Sequence, residues 1–202
     1  MLGNESGIHE YISDIILLLD EGRVLMLIFI SGGVRSGKST LGENLTEKLA
    51  DGRKVYLATS IAHDEEMIKR ILLHKQQRSG KGYLTIEKST NIGEVAFDIK
   101  NGDTLLLDCL GNLLANEMFN DKTKKEKENI SRKLFSEICL LNEKAEHMII
   151  ISNDVFSDGC MYSDSVVEYI DSLAALHIKI AGISDKAIEC TAGNYFLHKG
   201  RD

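Results

Sequence analysis

The clearest chemistry in this chain lies in ten residues, Ser31 to Thr40, reading Ser-Gly-Gly-Val-Arg-Ser-Gly-Lys-Ser-Thr. Gly32, Gly37, Lys38 and Ser39 satisfy the G-x-x-x-x-G-K-[ST] spacing of a phosphate-binding loop. The context is also right: the apolar run Leu25 to Ile30 precedes it, and the helix-forming segment Leu41 to Ala50 follows. Glycines let such a backbone close around a polyphosphate with its N–H groups inward, and the following helix adds the positive end of its dipole. Lys38 then reaches the outer phosphates, and the Ser39 hydroxyl helps to hold Mg²⁺.

Three further residues have types that could serve this loop. Asp108 closes the apolar run Leu105 to Leu107, where a carboxylate can hold the metal directly or through water; a helix cap is the alternative. Asp154, beyond Met148 to Ser152, is open to the same two readings. His74 lies near the end of a helix that Asp64 can cap, with Met67, Ile71 and His74 on one face and Glu66 paired with Arg70. It is either a surface histidine at the helix's negative end or a neutral imidazole able to attack phosphorus.

The elements that must position these groups are short apolar runs alternating with longer helical stretches. Strands are predicted at Leu25 to Ile30, Val55 to Ala58, Leu105 to Leu107, Met148 to Ser152 and Ala187 to Thr191. Several are continuously apolar, as strands buried on both faces are, which implies a parallel sheet between helices. Helices are predicted at Ser39 to Ala50, Asp64 to Gln77, about Lys125 to Ala145, and Ser163 to Ile180. The expected fold is therefore α/β, a P-loop NTPase domain of the RecA-like kind with a mostly parallel sheet and helices on both faces. Ligands of such sheets sit beyond the carboxyl ends of the strands. Residues 26–202 are expected to form this catalytic domain. Residues 1–25 are expected to be an extension, one amphipathic helix marked by Tyr11, Ile12, Ile15, Ile16 and Leu19 at helical spacing.

Composition narrows the partners. The 202 residues are 43% hydrophobic, enough for one good core, and carry a formal net charge of −7. With no basic footprint, nucleic acid is not an expected partner. No apolar run approaches a membrane span, and the four separated cysteines, Cys109, Cys139, Cys160 and Cys190, read as reduced thiols of a cytoplasmic protein.

Together these features resemble the bifunctional adenosylcobinamide kinase and adenosylcobinamide-phosphate guanylyltransferase family of cobalamin biosynthesis. The resemblance is carried by Gly32 to Ser39, Tyr56-Leu-Ala-Thr-Ser60, Asp64-x-Glu66-Met67-x-x-Arg70-Ile71-x-x-His74, Leu106-Leu-Asp-Cys109, Asn116 and Ser152-Asn-Asp-Val155. It implies transfer of a terminal phosphoryl group from ATP or GTP to adenosylcobinamide. GMP then passes from GTP, through a guanylylated histidine, to adenosylcobinamide phosphate. His74 stands at the guanylylated position, with Lys38 as the second catalytic residue. The implied nucleotide contacts are Gly32, Gly33, Val34, Arg35, Ser36, Gly37, Lys38, Ser39, Thr59, Ser60, Ile61, Lys75, Gln76, Gln77, Arg78, Glu87 and Asp108, with Ser39 and Asp108 on Mg²⁺. A homo-oligomer, a trimer, is also implied.

The chain departs from the family pattern after Asp154, which replaces the usual Glu. Phe156-Ser-Asp-Gly-Cys-Met-Tyr-Ser163 stands where a Gly-x-Val-Pro-Glu-Asn stretch is usual, and the sequence holds no proline. The segment Ser79-Gly-Lys-Gly-Tyr83 is altered too. The change at 156–163 bears on the acceptor more than on the nucleotide, leaving a kinase of another small molecule and a nucleotide-binding module without turnover as alternatives.

Overall fold

The computed structural model describes residues 25–61, 65, 68–69, 72, 76, 78–119, 130–156 and 162–200. Seven strands make one sheet: β1 (Met26–Gly32), β2 (Lys54–Ala58), β3 (Tyr83–Glu87), β4 (Thr104–Asp108), β5 (His147–Asn153), β6 (Lys186–Thr191) and β7 (Asn194–Lys199). Their order is β3-β2-β4-β5-β1-β6-β7, and every neighbouring pair is parallel except β6 with β7.

The five predicted strands are β1, β2, β4, β5 and β6. Leu105, Leu106 and Leu107 are fully buried, as are Ile149, Ile150 and Ile151, because successive side chains of an interior strand enter opposite apolar layers. On one face α1 (Lys38–Leu49) sets Leu41 and Leu45 against Ile28, Ile30, Leu106 and Ile151. On the other, α2 (Leu110–Met118), α3 (Ile130–Lys144) and α4 (Asp164–Ile183) cover Phe29, Leu105, Leu107 and Ile150. Helices therefore lie on both faces, as expected.

Four elements were not expected from sequence. β3 and β7 are edge strands in which apolar and polar residues mix, and both are partly exposed. β7 follows a tight turn through Ala192 and Gly193, both at positive φ, which returns the chain antiparallel to β6. A 3₁₀ helix at Ile92–Phe97 and α2 complete the set. The N-terminal helix, the contacts at Asp64, Met67, Arg70 and Ile71, the start of the charged helix before Ile130, and Cys160 with most of the 156–163 stretch lie outside the described residues.

The order of strands fixes the site. β5 lies between β1 and β4, pairing Gly32 with Asn153 and Asp108 with Ile151. The carboxyl ends of β1 and β4 thus open on the same edge of the sheet two strands apart, about 10 Å at ordinary strand spacing.

Candidate functional site

β1 delivers the chain into the loop Gly33–Gly37, and the loop delivers it into α1. Gly37 caps the helix at φ 95° while its carbonyl accepts from the Leu41 amide at 3.0 Å. A side chain there would be strained and would meet the Tyr195 hydroxyl at 3.3 Å. At the entrance, Gly32 has no room for a Cβ: one would stand 2.5 Å from the Cys190 carbonyl oxygen and 2.7 Å from Ser36 Oγ. The Asp154 amide donates to the Gly32 carbonyl at 2.9 Å, so β5 and β6 hold the loop from both sides. Lys38 folds back over the loop, its Nζ donating to the Gly33 carbonyl at 2.9 Å. Val34 and Arg35 are exposed, whereas Ser36 is buried with a hydroxyl that has no hydrogen-bond partner among the described residues.

Burial pushes the thiols of Cys109 and Cys190 each up to about 12, against the opposing charge of Lys38. Both stay protonated and add no negative charge beside the loop.

Asp108 is half-buried at the end of β4, and its Oδ2 accepts from the Tyr56 hydroxyl at 2.8 Å. Burial first, and the Asp108 charge second, push the Tyr56 phenol far above its ordinary range, so Tyr56 remains a donor. The Tyr56 ring lies beneath the Arg78 guanidinium, 3.5 Å from its centroid. Arg78 is buried and faces Glu43 of α1 at 3.8 Å; Lys81 bonds Glu43 at 2.9 Å and Glu47 at 3.0 Å. A chain of contacts thus runs from α1 through Arg78 and Tyr56 to Asp108. Arg78 also lines an open cleft of about 570 Å³ with Ser79, Gly80, Gly82, Tyr83, Thr85 and Glu87.

A Mg²⁺ fits this arrangement. Ser39 is half-buried in the first turn of α1, and Asp108 has one oxygen oriented by Tyr56; hydroxyl and carboxylate are the hard oxygen donors the ion takes. Among the described residues no cluster of three or more His, Cys, Asp or Glu could hold a metal, so phosphate oxygens would complete its shell.

The predicted contacts divide by placement. The loop and Asp108 share the carboxyl edge; Arg78 and Glu87 share the cleft; Gln76 and Ile61 are exposed; His74, Lys75 and Gln77 lie outside the described residues. Thr59 is fully buried, its hydroxyl committed to the Cys109 backbone. Sequence reading assigned no role to Tyr56, Glu43, Lys81, Asn112 or Asn116. The alternation along β2 could have put Tyr56 on the face of Ala58, but its meeting with Asp108 depends on register. Among the described residues no helix is long and apolar enough to cross a membrane, and Cys109, Cys139 and Cys190 are free thiols.

Known proteins share parts of this construction. Among solved structures, the flagellar accessory protein FlaH from Methanocaldococcus jannaschii superposes with a TM-score of 0.45 at 18% sequence identity, covering 93% of this chain and 84% of that one. The bifunctional adenosylcobalamin biosynthesis proteins CobU of Escherichia coli (strain K12) and Salmonella typhimurium (strain LT2) are each 30% identical over 141 residues, 64% of this chain and 76% of theirs. Residues 28–196 match the family model described as cobinamide kinase / cobinamide phosphate guanyltransferase. With the phosphate loop, Asp108 and nearly the whole α/β domain inside that match, the chain belongs to the cobinamide kinase / cobinamide phosphate guanyltransferase family, whose members are transferases.

Proposed function

We propose that the chain first moves the terminal phosphoryl group of ATP or GTP to the hydroxyl on the aminopropanol arm of adenosylcobinamide. It then moves GMP from GTP, by way of His74, to the phosphorylated product, giving adenosylcobinamide-GDP. The observation that supports this best is the phosphate loop with Lys38 folded over it, two strands from an acid whose orientation Tyr56 holds. Residues 26–202 are the catalytic unit in this reading, with 1–25 an extension. The enzyme works as a cytoplasmic homo-oligomer, a trimer.

In the first reaction the substrate hydroxyl oxygen forms a bond to the γ-phosphorus while the bond from that phosphorus to the bridging oxygen breaks; the nucleoside diphosphate leaves and the hydroxyl proton is released to water. The loop amides and the Lys38 ammonium meet the charge on the phosphates, so the protein's work is positional and electrostatic. Ser39 and Asp108 would hold Mg²⁺, which when bound neutralises phosphate charge. In the second reaction a neutral His74 nitrogen forms a bond to the α-phosphorus of GTP and pyrophosphate departs. The phosphate oxygen of adenosylcobinamide phosphate then displaces histidine from that phosphorus. The cleft with Arg78 and Glu87 offers a donor and an acceptor to a base edge that carries both, as guanine's does.

The test is incubation with GTP labelled at the α-phosphate, followed by a search for acid-labile label on the protein. Wild type takes label, His74→Ala takes none but still phosphorylates adenosylcobinamide, and Lys38→Ala loses both activities. Equal labelling of wild type and His74→Ala, or no labelling where GTP binds, overturns the guanylyl-histidine.

A further inference from the structure

The loop leaving β2 and the start of α2 are joined by a set of hydrogen bonds that the reaction as described does not use. The Thr59 amide donates to the Asp108 carbonyl at 3.1 Å. Its hydroxyl donates to the Cys109 carbonyl and accepts from the Cys109 amide, both at 2.8 Å. One turn apart on α2, Asn116 Nδ2 donates to the Thr59 carbonyl at 2.7 Å and Asn112 Nδ2 to Ser60 Oγ at 2.8 Å. Every polar atom of Thr59 is therefore bound to the segment that carries Asp108. Because Thr59 is fully buried, its side chain faces protein on all sides.

We propose that Thr59, Asn112 and Asn116 are positioning residues that hold the backbone at Ser60 and Ile61 in fixed register with Asp108. The nucleotide contacts on the β2 loop and the acid on β4 then move as one body. Thr59 acts through Cys109 and not by touching nucleotide. The geometry supports this over a purely structural suture in one respect: side-chain amides are spent on the two residues that lead into exposed Ile61 at the ligand edge of the sheet, while the flanking strand backbones already pair with each other. Asn112 and Asn116 sit at i and i+4, so a single helix face delivers both donors. The inference rests on the reading above only in taking the bound triphosphate to lie against Ser60 and Ile61.

The experiment measures the dissociation constant of a fluorescent GTP analogue for the full chain, with melting temperature and steady-state KM and kcat alongside. Loss of the buried hydrogen bonds that fix the loop, two in Thr59→Val and one in Asn116→Ala, is expected to weaken analogue binding about tenfold in each. Asn112→Ala, whose partner is a half-buried hydroxyl, is expected to lose roughly threefold. Thr59→Ser keeps the hydroxyl and should restore binding to within about twofold of wild type. KM for the nucleotide should rise more than kcat falls. Variants that melt earlier yet bind the analogue like wild type overturn the proposal, as does Thr59→Val binding no worse than Thr59→Ser. Should Thr59→Val and Asn116→Ala fail to fold, Asn112→Ala decides: wild-type affinity refutes positioning, and weakened affinity supports it. A wild type that binds the analogue but does not turn over adenosylcobinamide overturns the proposed function while leaving this comparison intact; a wild type that does not bind it overturns both.

Discussion

Replacing Tyr56 by Phe removes one oxygen and leaves the ring, which separates the two things this residue does. The lost hydrogen bond runs at 2.8 Å to the Asp108 carboxylate, and bonds to charged acceptors contribute about 1.5–3 kcal/mol. Asp108 is half-buried, so water can partly replace the phenol, and the lower end, about 1.5 kcal/mol, applies. For a domain of this size that is a melting temperature lower by ~3–6 °C. Freed of its anchor, the Asp108 carboxylate can turn away from the loop, so the Mg²⁺ concentration needed for half-maximal binding of a fluorescent triphosphate should rise several-fold. Binding without Mg²⁺ should not change. Tyr56→Leu also removes the ring beneath Arg78, whose Nε and Nη1 have no hydrogen-bond partner among the described residues; it should cost at least ~3 kcal/mol. The assays are thermal denaturation and a Mg²⁺ titration of analogue binding. A Tyr56→Phe protein with a wild-type Mg²⁺ dependence would refute the argument that Tyr56 orients the acid.

Other outcomes follow from the same contacts. Gly32→Ala places a Cβ 2.5 Å from the Cys190 carbonyl oxygen, so backbone must move; urea denaturation should show ~1–3 kcal/mol lost, with triphosphate binding weakened beyond detection. Gly33→Ala, whose Cβ meets nothing within 4 Å, should leave stability within about 0.5 kcal/mol. His177, on α4, shares a 2.7 Å hydrogen bond with Ser152 and sits edge-on to Phe29; burial lowers its pKa to about 4. The neutral ring is the one the fold accepts, so its contribution is complete above the ordinary histidine range near 6.5 and is lost as pH falls from there towards 4. Denaturant melts at pH 7, 5.5 and 4.5 should show this decline, and His177→Gln should flatten it.

How much of this was legible beforehand differs by element. Five strands and the helix after the loop could be read because interior strands are continuously apolar and glycine-lysine spacing has a local meaning. β3 could not: Tyr-Leu-Thr-Ile-Glu has no buried run, and only its pairing with β2 makes it a strand. Nor could α2, which begins at once after Asp108, through Cys109 in an extended conformation without a side-chain cap. Asp108 is legible because an acid ending an apolar run has a recognisable role; Thr59 is expected at the nucleotide only through the resemblance, its bonds to Cys109 needing the folded chain, and Tyr56, Asn112 and Asn116 have no assigned role until the chain is folded.

By itself the sequence determined the phosphate loop, since such a loop is local: its glycines, lysine and serine lie within eight residues and need only a strand before and a helix after. It also determined the family, through motifs spread along the chain. The tertiary structure decided which groups meet. Inserting β5 between β1 and β4 brings Asp108 to the loop's edge of the sheet. The register of β2 on β4 brings Tyr56 to Asp108 and Thr59 to Cys109, and the descent of the chain into β3 lays Arg78 on Tyr56. Those contacts join residues some twenty to fifty positions apart, and strand order and register, which arise from the packing of the whole core, are what bring them within reach.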